Sequence, residues 1–393
     1  CVPHIYYFKK YKQIILKSFL SLIYIFTLFA STPLFSQEAK AIFSHPEFVE
    51  GFNILAKKGY KILEIHQINT IDNKSPFETY ALVHKDSIRL IKALKKKYKN
   101  IIRIPVEKMI VTSTTHLPGI EMLQGSETVV GFPGTDYISS ASFRSLIKKG
   151  SLKEMGHQEQ LNIELVLAAA PELIIGYAVG EKPKIYETIA NSGIPVILNH
   201  DWLAQHPLGK ASWIYLYGAL LNKLDRADQL FSNIHDQYLA AKKLATHAAE
   251  TPTVFSGAMY KDVWYAPGGK SWAVQFIQDA NANYLFNNNH TGSDAFGIEY
   301  VLSKAAQSDF WIGAAQFTSH EEMLKKSAHY SQFDAFKNKN IYSFSSIKGV
   351  TGGVLYYELA PQRPDLVLKD LIAILHPELS PNHSFTFFRR LDD

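Results

Sequence analysis

A five-residue pattern occurs twice, and its recurrence restricts the architecture more than any other feature of the chain. Ile163-Glu164-Leu165-Val166-Leu167 leads through alanine-rich sequence to Ile174-Ile175-Gly176. Ile298-Glu299-Tyr300-Val301-Leu302 leads through Ser303-Lys304-Ala305-Ala306 to Trp311-Ile312-Gly313. Each copy reads as the first turn of a helix followed by a short buried strand. Asn162 and Gly297 stand just before the two helices, and both residue types are favoured there. A carboxylate in a first turn lies against the positive end of the helix dipole. One such acid would mean capping alone. Two at matched places predict a duplicated architecture, with an exposed glutamate on each of two similar lobes.

The order of elements supports two lobes. Met109-Ile110-Val111, Val129 to Phe132, Leu173 to Gly176 and Pro195 to Leu198 read as strands, with helical stretches between them. A helical run from about Lys210 to Thr246 follows, with Leu216, Leu220, Leu224, Leu230, Ile234 and Leu239 in helical spacing and no glycine or proline after Gly218. Thr251-Pro252 ends it, and the strand–helix alternation restarts at Thr253. The chain thus divides into an N-terminal α/β lobe over 38–208, a linking helix over 209–247 and a C-terminal α/β lobe over 248–393. The expected fold class is α/β, two doubly wound lobes joined by one long backbone helix. Residues 43–106 mix strands with a helix near Ser87 to Lys99, whose lysine-rich outer face reads as solvated.

The first 37 residues read as a secretory signal peptide. Lys9, Lys10, Lys12 and Lys17 precede the apolar stretch Ser18 to Ala30, and a small polar segment runs from Ser31 to Gln37. The apolar stretch is shorter than the ~20 residues of a spanning helix. Without this segment the formal charge drops from +5 to about +1, since four lysines leave and no acid does. That balance offers no dense basic face for nucleic acid over the whole chain. Cys1 is the only cysteine and precedes the apolar stretch, so neither a disulfide, nor a thiolate metal site, nor a self-encoded lipid anchor is expected in the mature protein. No nucleophile elbow, phosphate loop or His-Glu-x-x-His pattern is present, and the chain is expected not to be an enzyme or to hold a resident metal or cofactor.

Several segments in their order resemble one family. Gly125-Ser126-Glu127-Thr128-Val129-Val130-Gly131, Leu161-Asn162-Ile163-Glu164, Ala170-Pro171-Glu172-Leu173-Ile174-Ile175-Gly176 and Gly193-Ile194-Pro195-Val196 are similar to motifs of the substrate-binding proteins of ABC importers for ferric siderophores, haem and cobalamin. Arg363-Pro364-Asp365-Leu366-Val367-Leu368 with His376-Pro377-Glu378-Leu379 resembles the C-terminal signature of a Bacteroidetes-like branch of that family. The resemblance implies a periplasmic, monomeric protein that hands a ferric siderophore, haem or cobalamin to an ABC permease dimer and touches the membrane only through it. It implies that Glu164 and Glu299 dock into arginine pockets of the permease, where charge-assisted, often bidentate contacts form. The cargo, rather than the protein, would supply iron or cobalt. Ser212-Trp213 departs from the Glu-Trp common among relatives. An extracytoplasmic enzyme or a ligand-presenting receptor on the same fold is the alternative.

Ligands of such folds occupy the crevice at the carboxyl ends of strands. That rule selects Tyr137, His157 and Tyr177 in the first lobe. In the second it selects Tyr260, Lys261, Trp264, Tyr265 and Lys348. Flat rings suit a large, partly apolar ligand, and haem ligation by a tyrosine or histidine stays open. Trp264 and Trp272 are expected near the cleft. The stiff connector predicts only modest lobe motion.

Overall fold

The computed structural model of the protein describes residues 42–66, 77–157, 160–179 and 182–392. The expected signal peptide and Cys1 lie outside the described residues. The chain from Ile42 onward forms one compact unit. Among the described residues no helix is long and apolar enough to cross a membrane.

An antiparallel meander opens this unit: β1 (Phe52–Lys57), β2 (Tyr60–His66) and β3 (Phe77–His84). The helix Ile88–Leu94 then crosses over to β4 (Asn100–Ile104), which pairs with β3 in parallel. Residues alternate between the two faces of this sheet. Ile54, Leu63, Tyr80, Leu82 and Ile102 join the main core, while Ile62, Ala81 and Val83 pack under the helix with Leu94. The Tyr80 hydroxyl donates to the Val196 carbonyl at 2.5 Å, fixing the module to the neighbouring lobe. The sequence suggested β2, β3 and the helix, but not a sheet of their own.

The first lobe contains β5 (Met109–Val111), β6 (Val129–Phe132), β7 (Lys153–Glu154), the ribbon β8 (Gly156–His157) and β9 (Gln160–Leu161), then β10 (Leu173–Tyr177) and β11 (Val196–Asn199). Its sheet runs β11-β10-β5-β6-β7, all parallel. The second lobe contains β12 (Thr253–Phe255), the small sheet formed by β13 (Ala258–Tyr260), β14 (Val263–Pro267) and β16 (Ser293–Phe296), and the strands β15 (Asn283–Tyr284), β17 (Phe310–Ile312), β18 (Ile341–Ser343) and β19 (Arg389–Arg390). Its main sheet runs β15-β12-β17-β18-β19. Setting aside the edge strands β7 and β19, both sheets have the same order: second strand, first, third, fourth. The third strands, β10 and β17, are the two at whose carboxyl ends the repeated Ile-Gly falls, Ile175-Gly176 and Ile312-Gly313. Each follows a helix that opens with Ile-Glu, Ile163–Ala169 in one lobe and Ile298–Ala305 in the other. The sequence repeat therefore marks equivalent positions in two lobes of one topology. These central strands are short and buried on both faces, as parallel strands covered by helices must be.

The connector differs from the unbroken helix that the spacing suggested. Three helices, Pro207–Ala211, Ile214–Leu220 and Leu224–Ala245, cover the stretch, and the last spans 22 residues. The chain turns at Asn222, which has a φ of 55°; asparagine tolerates this left-handed conformation better than most residues. At Gly218 an added Cβ would lie 2.6 Å from the Ala227 side chain, so close packing across the turn requires glycine. The long helix buries Ala227, Phe231, Ile234, Tyr238, Ala241 and Ala245 along one stripe. It packs against the largely buried helix Pro364–Leu375. Tyr238 donates to the buried Asp279 carboxylate at 2.6 Å, and Lys242 reaches the same group at 2.8 Å.

Candidate functional site

The strand order reverses between β5 and β10 in one lobe and between β12 and β17 in the other, which places crevices at those carboxyl ends. The first lobe contributes Thr112–Thr114 after β5 and Pro133, Gly134 and Tyr137 after β6. Together with Phe132 and His157 they form one wall of a cleft of about 280 Å3. Gly353, Val354 and Tyr357, from the C-terminal lobe, form the other wall. Tyr137 is 70 % exposed, so its ring stands free at this mouth.

A carboxylate behind each wall sets its shape. Glu154 accepts hydrogen bonds from the backbone N–H groups of Gly134, Thr135, Met155 and Gly156 and from the Thr135 hydroxyl. Burial pushes its pKa up, but the N–H groups of Thr135 and Gly134 outweigh that and hold it below the ordinary value. Glu358 accepts from the N–H groups of Ser139 and Ser140 at 2.6 and 2.9 Å, across the lobe boundary. Thr351 donates to the Asp136 carbonyl at 2.6 Å and Ser139 to the Gly353 carbonyl at 3.1 Å. A Cβ on Gly353 would lie 2.2 Å from the Tyr137 carbonyl oxygen, so the two lobes touch here backbone to backbone.

A second cleft, of about 450 Å3, lies at the end of β11. Trp202, Leu203 and Gln205 face Tyr265, Pro267, Lys270 and Trp272 across it. The ammonium of the buried Lys210 sits 4.7 Å from the Trp272 ring centre. Burial lowers the Lys210 pKa and the Asp201 carboxylate partly restores it; burial likewise raises that of Asp201.

Of the sequence-predicted contacts, two share the first cleft, one lines the second and the other five lie elsewhere. Tyr137 and His157 meet in the first cleft and Tyr265 lines the second. Tyr177 is half-buried at the end of β10 and lines neither. Tyr260 and Lys261 occupy the exposed β13–β14 turn, the Lys261 ammonium 5.7 Å from the Tyr260 ring centre. Lys348 is exposed in the loop after β18, bridged to Val354. Trp264 is a correction. It is 0 % exposed, donates its indole N–H to the Ser256 carbonyl and packs among Phe255, Trp311, Tyr330 and Phe333. The reason is the two-residue period of β14: Trp264 and Ala266 point inward and Tyr265 outward. Tyr357, Trp202 and Thr112–Thr114 were not selected from the sequence. The signal for Thr112–Thr114 and Trp202 was their place just beyond β5 and β11.

Glu164 and Glu299 are both exposed in the first turns of their helices, and neither makes an ion pair among the described residues. The Asn162 side chain caps the first helix by accepting from the Leu165 N–H at 3.1 Å. Apolar side chains stand exposed beside each acid, Leu165 and Leu167 in one lobe and Tyr300 in the other.

Next to the first cleft, His116 is fully buried with neither ring nitrogen partnered, and burial lowers its pKa to about 3. Folded protein therefore holds this ring neutral while the unfolded chain takes up a proton below pH ~6.5. The associated stability is complete above that pH and is lost as pH falls toward 3, by at most about 1.4 kcal/mol per pH unit. In urea melts the protein is expected to lose stability relative to His116→Leu as pH falls from 6.5 to 4. A stability difference that does not change with pH would contradict this.

Comparison with known proteins places these features. The profile of a family described as periplasmic binding protein matches residues 110–347. An uncharacterized lipoprotein of Methanocaldococcus jannaschii is 25% identical over 298 residues, covering 73% of this chain and 69% of that protein. The crystal structure of a periplasmic heme binding protein from Pseudomonas aeruginosa superposes with a TM-score of 0.57 at 16% identity, over 73% of this chain and 99% of that one. A possible iron-binding (periplasmic solute-binding) protein from Staphylococcus epidermidis superposes with a TM-score of 0.56 at 19% identity, over 69% and 99%. At these identities the structural likeness is one of fold.

Proposed function

The chain belongs to the periplasmic binding protein family, and from that premise we propose that it captures a ferric siderophore, haem or cobalamin between its lobes and delivers it to an ABC importer. The family is one of binding proteins rather than enzymes. The observation that carries the reading is the pair of clefts between the lobes, each walled by rings from both: Tyr137 opposite Tyr357, and Trp202 opposite Trp272. Such walls suit a broad ligand with extended flat faces and a few polar edges. Thr112–Thr114 and His157 supply those edges in the first cleft, and Lys270 and Gln205 in the second. Delivery would use Glu164 and Glu299, one carboxylate per lobe, against arginines of a two-subunit permease.

Tryptophan fluorescence titration with haemin, cobalamin and a panel of ferric siderophores tests the reading. Trp202 and Trp272 line the second cleft and are the reporters; buried Trp264 is not. At least one ligand is expected to quench strongly and saturably, and Trp272→Phe is expected to remove part of that signal. Absence of saturable quenching across the panel would exclude this ligand class.

A further inference from the structure

The β1–β4 module lies before the part of the chain that matches the family, and ligand capture does not account for it. Its charge is distinctive. Residues 52–104 contain twelve Lys and Arg against four Asp and Glu, a net of +8, whereas the whole chain has 41 against 36. All but this module is therefore slightly acidic in sum.

Folding concentrates the charge on one surface. One face of the sheet packs on the protein body and the other packs under the helix Ile88–Leu94, so that helix forms the outermost layer. Arg89 and Lys92 are exposed on it, and residues 95–99 add four exposed lysines directly after it. Lys57 and Lys58, at the β1–β2 turn, complete the cap: a Cβ on Gly59 would lie 3.2 Å from the Leu90 side chain, so the turn rests against the helix. The Tyr60 and Tyr98 hydroxyls lie 3.4 Å apart and hold residues 95–99 beside β2. None of these eight basic groups has an ion-pair partner among the described residues. Among the described residues one cation of the module is paired, Lys85 with Glu107, directly after β3 at the sheet end that also carries the β1–β2 turn. Ile88, 62 % exposed, is the apolar tip of the same cap.

We propose that this cap binds the anionic headgroup surface of a lipid bilayer, in addition to any contact made through a transporter. The charge is convex and dispersed, with seven lysines and one arginine. Lysine is a strongly hydrated point charge suited to a diffuse negative surface, whereas bidentate recognition of one acidic partner favours arginine. Clustered basic side chains gain attraction additively near an anionic bilayer, and salt screens that attraction.

Co-sedimentation of the mature chain, from residue 38, with lipid vesicles tests this. Binding is expected to phosphatidylcholine–phosphatidylglycerol vesicles and not to phosphatidylcholine alone. Raising salt from about 50 mM to about 500 mM is expected to weaken it at least tenfold. Lys92→Glu with Lys95→Glu and Lys96→Glu is expected to weaken it at least tenfold, with the thermal melt and ligand quenching unchanged. Equal binding to neutral vesicles, no vesicle binding, or full binding by the charge-reversed variant would overturn the proposal. Retention on heparin at physiological salt without vesicle binding would also overturn it, assigning the cap to a polyanionic polymer.

Discussion

Replacing Glu164 and Glu299 together by alanine is expected to abolish uptake while the purified protein still binds its ligand within about twofold of normal, since neither acid lines a cleft. Both side chains are exposed and have no ion-pair partner among the described residues, and they occupy equivalent places before β10 and β17. Folding should suffer little: loss of a first-turn carboxylate costs roughly 0.3–1 kcal/mol. The effect falls on docking. Truncating one side of a hydrogen-bonded charge pair at an interface costs roughly 2–5 kcal/mol, so two together would weaken the productive complex by a thousandfold or more. Each single variant should retain partial transport, because the remaining lobe still docks. Radiolabelled-ligand uptake into proteoliposomes carrying the importer measures this. Normal transport by the double variant would remove both acids from the delivery step.

Asp370→Ala is expected to destabilise the fold by about 3–5 kcal/mol, because several donors lose one buried acceptor. The carboxylate is fully buried. It accepts from the backbone N–H groups of Thr386, Phe387 and Phe388, and the His383 ring lies 2.6 Å away. This group ties the C-terminal segment to the helix Pro364–Leu375. Phe387 and Phe388 in turn pack against Tyr356, whose neighbour Tyr357 walls the first cleft. The loss of stability should therefore be accompanied by weaker ligand binding. Asp370→Asn keeps one acceptor and should lose less. Urea denaturation of the three proteins gives the comparison, and an unchanged midpoint for the alanine variant would refute the assignment.

The parts of the fold that were legible in the sequence rest on local periodicity and on repetition. Ile-Glu-x-Val-Leu before a strand ending in Ile-Gly marked equivalent helices because both lobes bury the same face of the same element. The connector was legible as helical from its spacing. The turn at Asn222 was not, because it depends on how Gly218 meets Ala227 across the bend. Trp264 illustrates the limit at the site. Tyr260 to Tyr265 is rich in rings, yet β14 alternates them between core and surface, and composition does not set that phase. Tyr357 was hidden for a different reason. It reaches Tyr137 only through contacts between segments more than 200 residues apart, such as Glu358 on Ser139 and Ser140. No local pattern encodes such a pairing. The lysine-rich stretch after Ser87 was read as solvated; only the layered packing of β1–β4 shows that its charge adjoins that of the β1–β2 turn.

The structure of the protein in complex with the ligand that quenches its tryptophans tests the central claim most directly. The account predicts a ligand seated between the two lobes, against the rings of Tyr137 and Tyr357 or those of Trp202 and Trp272, with the lobes only slightly displaced from their unliganded positions. A ligand bound outside both clefts, contacting a single lobe, would contradict it.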